Sequence, residues 1–145
     1  MQIIPFLEKY TDDAIFCILL AKEALGREPR FNRDMLDISA NYFDRGDMFW
    51  LALNENDRVI GMIGTHSISD TDMWLKRLFI KPGHLRQGLA SALLARAEDF
   101  AQTKGVTTIH TGFNAEYTAA PKFYAAKGFA ETAMENGRRH FVKNI

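Results

Sequence analysis

Apolar residues recur along this chain with two periods, and the switch between them marks out its elements. Residues 2–6 read as a short first strand ended near Pro5. Ile15, Ile18, Leu19 and Leu25 then fall at helical spacing after Thr11-Asp12-Asp13, whose side-chain oxygens can cap a helix, and Gly26 can close it. Asn32 can cap a second helix in which Met35, Ile38 and Tyr42 share a face, with Gly46 ending that region. The pattern next becomes extended. Residues 48–53 and 58–66 read as strands joined by the turn-forming Asn54-Glu55-Asn56-Asp57, and 73–80 as a third, stopped by Pro82-Gly83.

From Gln87 to Lys104 the period is helical again. Leu89, Leu93, Ala97 and Phe100 make one apolar stripe, and Gly105 stands where a C-terminal glycine cap belongs. Residues 106–113 read as a strand and 118–127 as a short helix, with Pro121 tolerable in its first turn and Gly128 after its end. Two last strands, 129–134 and 138–143, flank Asn136-Gly137, a strong hairpin signal. The order is β-α-α-β-β-β-α-β-α-β-β. A three-strand meander followed by β-α-β-α-β predicts an α/β protein, a mixed sheet covered by helices, in a single domain over residues 1–145.

Composition narrows the partners. Lysine plus arginine and aspartate plus glutamate both number 18 in the 145 residues. That balance gives no electrostatic case for nucleic acid or an anionic membrane surface. The single cysteine, Cys17, sits in an apolar run and reads as a small buried hydrophobe. That run is too short to span a bilayer, and no signal-peptide pattern is present, so the expectation is a cytoplasmic protein. The four histidines (66, 84, 110 and 140) lack metal-ligand spacing, and no metal is expected.

Chemistry enters at Ile80-Lys81-Pro82-Gly83-His84-Leu85-Arg86-Gln87-Gly88-Leu89-Ala90-Ser91, a strand end, a loop and a helix start. The first N–H groups of a helix lack internal partners and carry partial positive charge, so an anion is stabilised there. Gly88 and Ala90 let it approach the backbone, and Arg86, Gln87 and Ser91 add donors. Alone, Gly-x-Ala at a helix start is a weak signal. It is neither a P-loop nor a dinucleotide fingerprint.

This segment resembles the GNAT superfamily of N-acetyltransferases, which carries Gln/Arg-x-x-Gly-x-Gly/Ala at the start of a long helix. The later Ala120-Pro121-Lys122-Phe123-Tyr124-Ala125-Ala126-Lys127-Gly128-Phe129 is similar to the family's Ala-x-x-Phe-Tyr-x-x-x-Gly-Phe signature, at the expected distance. The element order matches over nearly the whole chain. One position departs: the family's first Gln/Arg falls on Leu85, with Arg86 one place later.

The resemblance implies acetyl-CoA, or another acyl-CoA, as cosubstrate and an amine as acceptor. The pyrophosphate would rest on the amides of residues 86–91, with Leu85 and Leu89 in the same turn. The pantetheine arm would run along Leu78-Phe79-Ile80, in a gap where strands 73–80 and 106–113 splay apart. The backbone N–H of Ile80 would serve the oxyanion, and Tyr124 would protonate the departing thiolate as general acid. Asn114 is a candidate contact to cofactor or substrate, or a turn cap.

The family often places a Glu where Trp74 stands, so the general base stays open among Asp72, His66, His110, Glu116 and a chain of waters. Phe31, Tyr42, Phe43, Phe49 and Trp50 fall where the family builds its acceptor pocket, though most read as core. Homodimerisation through the last strands would follow family habit. Two other readings stand beside the enzyme: a non-catalytic acyl-CoA-binding sensor or interaction module, and a structural domain without affinity for CoA.

Overall fold

The computed structural model describes residues 1–28 and 30–145. Seven strands form one sheet: β1 (Gln2–Pro5), β2 (Phe49–Leu53), β3 (Val59–Ser67), β4 (Asp72–Ile80), β5 (Thr108–Asn114), β6 (Ala130–Glu135) and β7 (Arg138–Asn144). Their order across the sheet is β1-β2-β3-β4-β5-β7-β6. Every neighbouring pair is antiparallel except β4 and β5, which are parallel. The four helices are α1 (Thr11–Ala24), α2 (Ile38–Asn41), α3 (Leu89–Thr103) and α4 (Ala119–Ala126). Among the described residues no helix is long and apolar enough to cross a membrane.

Two cores lie on opposite faces of the sheet, because alternate strand residues point to opposite sides. On one face, Leu89, Leu93 and Ala97 of α3 and Tyr124 of α4 pack on Ile63, Met73, Leu75, Ile109, Phe113 and Phe141. Leu93 is fully buried, so truncation to alanine is expected to cost about 2–5 kcal/mol. On the other face, Ala14, Cys17 and Ile18 of α1 pack with Met35, Ile38, Phe49 and Met62. Asp13 ties α1 to the sheet by accepting the Val59 N–H at 2.7 Å and a fork from Arg58 at 2.7 and 3.0 Å.

The mixed sheet and the predicted order of strands and long helices are observed, with local differences. The expected helix after Asn32 is broken into a 3-10 turn (Arg33–Leu36), the single-turn α2 and a second 3-10 turn (Phe43–Arg45). Asp37 leaves helical geometry, at φ −146° and ψ 75°, and its carboxylate caps the next turn by accepting the Ala40 N–H at 3.0 Å. Asn32 does not cap; its side-chain oxygen accepts from Lys22 instead. Met35, Ile38 and Tyr42 still share a buried face. Thr11 and Asp12 do not cap α1, which continues from a 3-10 turn at Glu8–Tyr10. Helix α3 starts at Leu89 rather than Gln87, because Arg86 and Gly88 are left-handed.

Candidate active site

The parallel seam between β4 and β5 is only three residues long. Asp72, Met73 and Trp74 pair with Thr108, Ile109 and His110, and beyond that the strands run on without pairing. A gap therefore opens between Leu75–Ile80 and Thr111–Asn114. The β3–β4 register shifts across Met62 and Gly64, where Arg77 on β4 adopts φ +57°. An arginine pays for a left-handed backbone, at about 1–2 kcal/mol. Asp34 holds it there from the 3-10 turn after α1, accepting from Arg77 Nη2 at 2.9 Å and Nε at 3.1 Å, and from the Tyr42 hydroxyl at 2.5 Å. Burial pushes the Asp34 carboxyl upward, but these donors outweigh it and its pKa lies below the ordinary value.

Past that kink the backbone of β4 faces the gap. The Lys81 N–H donates to Ile60 O on β3 at 2.8 Å. Since N–H groups alternate along a strand, those of Ile80 and Leu78 point the other way, into the gap. They are unpaired on that side because β5 has departed.

At the end of β4 the chain turns into α3. His84 N–H donates to Lys81 O at 3.1 Å, then Arg86 (φ 61°) and Gly88 (φ 78°) bend the backbone. The first bond of α3 runs from Ala92 N–H to Gly88 O at 3.0 Å. Among the described residues the N–H groups of Gly88, Leu89, Ala90 and Ser91 have no acceptor within the chain. Leu89 anchors the turn by burying its side chain in the core. Gly88 is set by its left-handed φ and not by crowding, for a Cβ there would meet nothing within 4 Å. Leu85, Arg86 and Gln87 are exposed around that space.

Tyr124, on α4, packs on the β5 side of the sheet. Its ring stacks on Phe113 of β5, with centroids 5.6 Å apart and planes at 9°, and meets Phe123 and Phe129 edge-on. Burial raises the pKa of its phenol, and Thr111, the first β5 residue beyond the last β4 pair, pulls the other way. The phenol is thus protonated at neutral pH and lies beside the point where the strands part.

The candidate bases are not gathered there. Asp72 is at the closed end of the seam, six residues before Leu78 and about 20 Å from it along the strand. Its carboxylate accepts from the Thr71 hydroxyl and lies 2.7 Å from His110 Nε2, which keeps its pKa low. His110 Nδ1 lies 3.1 Å from His140 Nε2, and His140 Nδ1 lies 3.2 Å from the Thr132 hydroxyl. Every ring nitrogen of this row therefore has a polar neighbour, and the Thr132 hydroxyl also lies 3.3 Å from His140 O. Asp72 is therefore a partner of His110 and not a free base. His66, at the end of β3, is engaged by Arg45. Glu116 is exposed in the loop after β5, at the open end.

Asn114 caps that loop, its side-chain oxygen accepting the Glu116 N–H at 2.8 Å. Tyr42, Phe49 and Trp50 are core residues, Phe43 packs against the core, and Phe31 is exposed. Burial pushes the Cys17 thiol up to about 12, which keeps it unreactive. No group of residues able to hold a metal ion occurs among the described residues.

Sequence reasoning missed a second layer. Trp74 stacks on His110 and His140, at 5.4 and 4.9 Å, and carries Lys76 Nζ 5.4 Å from its centroid. The signal was faint: Asp72, Trp74 and Lys76 alternate, as do Arg138 and His140. Alternation places each set on one face without bringing the two together.

Comparison with known proteins agrees with this geometry. A family model described as the acetyltransferase (GNAT) family matches residues 14–129. N-acetyltransferase 8 of Homo sapiens is 33% identical over 107 residues, covering 70% of this chain and 47% of that protein. The chain thus spans about half the length of the curated relatives it first matches. Among solved structures, an acetyltransferase of the GNAT family from Staphylococcus aureus superposes with a TM-score of 0.91 at 23% identity, covering 99% of this chain and 98% of that one. The paia N-acetyltransferase of Thermoplasma acidophilum, solved in complex with coenzyme A, gives 0.81 at 17% identity, with full coverage of both chains. At these identities the structures show a shared fold.

Proposed function

The chain belongs to the acetyltransferase (GNAT) family, and on that premise we propose that it moves an acetyl group from acetyl-CoA to a primary amine by direct attack in a ternary complex. The observation that carries this reading is the gap between β4 and β5, lined by the amides of Leu78 and Ile80 and leading to four unpartnered amides at the start of α3.

Acetyl-CoA fits that shape in two parts. Its pyrophosphate accepts from the amides of Gly88 to Ser91, with Arg86 and Gln87 at the rim. Its pantetheine amides hydrogen-bond to the free edge of β4, as an added strand would. The thioester oxygen then takes the N–H of Ile80 or Leu78, both aimed into the gap, and this donor stabilises the oxyanion. The amine nitrogen attacks the carbonyl carbon, the C–S bond breaks, and the thiolate takes the proton of the Tyr124 hydroxyl. The amine's own proton goes to Glu116, the candidate carboxylate at the open mouth.

The test is release of free thiol from acetyl-CoA over a panel of primary amines, beside calorimetry of acetyl-CoA binding. The expectation is binding together with amine-dependent release. Binding without release on any amine would favour a non-catalytic acyl-CoA sensor, a reading suited by Leu85, whose apolar side chain is 59% exposed at the turn. No binding would end both.

A further inference from the structure

Two cations without a carboxylate partner stand beside the gap. Five lysine or arginine side chains are held in ion pairs with carboxylates: Arg45–Asp47, Arg58–Asp13, Arg77–Asp34, Arg139–Glu131 and Lys143–Glu98. Among the described residues, Lys76 and Arg138 have no carboxylate within ion-pair distance. Both lie where the strands part. Lys76 follows the last paired residue of β4 by two, on the face opposite α3, with its ammonium over the Trp74 ring. Arg138 opens β7 opposite Asn114, and its Nη2 donates to Gly112 O on β5 at 2.8 Å.

The Trp74 ring that carries the Lys76 ammonium meets the Arg138 guanidinium at Gly112. A Cβ on Gly112 would meet the Trp74 ring at 3.4 Å and the Arg138 guanidinium at 3.6 Å, so the glycine leaves room where ring and guanidinium meet. Burial, then the charges of Arg77 and Arg138, lower the Lys76 pKa, as expected of a half-buried ammonium facing other cations. Asp34 is the opposing charge, and Arg77 and Tyr42 already hold it. The hydrogen bond to Gly112 O fixes the Arg138 side chain and leaves donors of its fork free. Lys76 is half-buried and Arg138 exposed, so an anion between them would offset the cost of holding the buried ammonium beside a second cation.

We propose that Lys76 and Arg138 bind a carboxylate on the acceptor, so that the amine acetylated here belongs to a small amino acid. This rests on the acetyl-transfer reading and narrows it. Lys76 lies two strand residues before Leu78, about 7 Å along β4. The carboxylate is therefore within a few bonds of the reacting nitrogen. Polyamines and aminoglycosides, which bring only positive charge, are disfavoured by the same pair.

The test is binding to the CoA-loaded protein of the N-acetyl derivatives of the protein amino acids, each against its carboxamide, by calorimetry. At least one carboxylate is expected to bind about 10- to 100-fold more tightly than its amide, the worth of charge-assisted hydrogen bonds. Arg138→Gln and Lys76→Gln should each erase most of that preference, with acetyl-CoA affinity and thermal unfolding unchanged, and Arg138→Lys should restore part of it. Equal binding of acid and amide throughout, no carboxylate bound by the wild type, or full preference retained in both variants would overturn the proposal. Because this is a binding measurement, a carboxylate preference without thiol release on any amine would support the anion site and sink the enzymatic reading alone.

Discussion

Replacing Gly88 separates the cost of a backbone conformation from the loss of a ligand site. Gly88 has φ 78° and ψ 7°, and a Cβ there would touch nothing within 4 Å. Gly88→Ala therefore introduces no clash in the protein itself. Its penalty is that of an alanine in the left-handed region, about 1 kcal/mol, which for a chain of this size lowers Tm by about 2–4 °C. Gly88→Asn should cost less, because asparagine tolerates that region. The effect on acetyl-CoA follows a different rule. The new Cβ enters the space in front of the amides of Gly88 to Ser91, holding the pyrophosphate off one or two of them. Charge-assisted hydrogen bonds are worth about 1.5–3 kcal/mol each, so affinity should fall about 10- to 100-fold or more. Asparagine should weaken binding at least as much as alanine although it is the more stable variant. Calorimetry with acetyl-CoA and a thermal melt measure the two effects, and turnover with S-acetylpantetheine, which lacks the pyrophosphate, is expected to be untouched. If a folded Gly88→Ala binds acetyl-CoA as the wild type does, the pyrophosphate does not sit at this turn.

Tyr124→Phe should reduce turnover about 10- to 100-fold, less than the largest general-acid effects because a thiolate is already a fair leaving group, with acetyl-CoA affinity retained; unchanged single-turnover kinetics would remove Tyr124 from the chemistry. Glu116→Gln should depress kcat/KM most at pH 6–7 and recover as the amine deprotonates unaided, whereas Asp72→Asn should leave the pH–rate profile in place; a larger effect at Asp72 would reverse the assignment of the base. The Asp34 pKa is lowered in the folded protein, so its contribution is present above the ordinary carboxylate value near 3.9 and fades as pH falls through the lower folded value. Urea melts of Asp34→Asn should thus show a deficit of about 1–2 kcal/mol at pH 7 that shrinks below pH 4, and a constant deficit would refute the linkage. At Arg77, glycine should be more stable than alanine by about 1 kcal/mol, the reverse of their order in an ordinary strand, because the residue is left-handed; the ordinary order in a denaturant series would mean that the kink relaxes once Asp34 loses its partner.

The fold was legible because its cores are made of local periods. Leu89, Leu93 and Ala97 repeat at helical spacing and all are buried, and Thr111 and Phe113 alternate with Gly112 as a strand with one packed face requires. Boundaries failed where a single residue departs from its neighbours, as Asp37 does between two turns and Arg86 does before α3. The turn before α3, where we propose the pyrophosphate binds, was legible as a turn for the same local reason, since strand, glycine and helix start are adjacent in the chain. The rest of the site joins residues far apart. Asp34 and Arg77 are 43 positions apart, Asp72 and His110 are 38, and Arg138 is 26 from the Gly112 carbonyl it holds. No period encodes such pairs. Asp72 stayed one of several candidate bases because nothing near it in the chain reveals the histidine that occupies it.

Two left-handed stretches bracket the segment that would carry the cosubstrate, and they are supported differently. Arg77 is compensated inside the protein by Asp34 and Tyr42, so the gap between β4 and β5 is preformed and its amides need no ligand to point inward. Arg86 and Gly88 have no such side-chain partners among the described residues, and the amides they present are left open. The proposed pantetheine end is thus supported by the fold, while the proposed phosphate end would gain its partners only on binding. Acetyl-CoA should therefore stabilise the turn at 84–91 against amide hydrogen exchange far more than it stabilises 77–80, although both would contact it. On the proposed reading, side-chain support lies where the thioester would be aimed, and the open amides lie where a pyrophosphate would enter and leave.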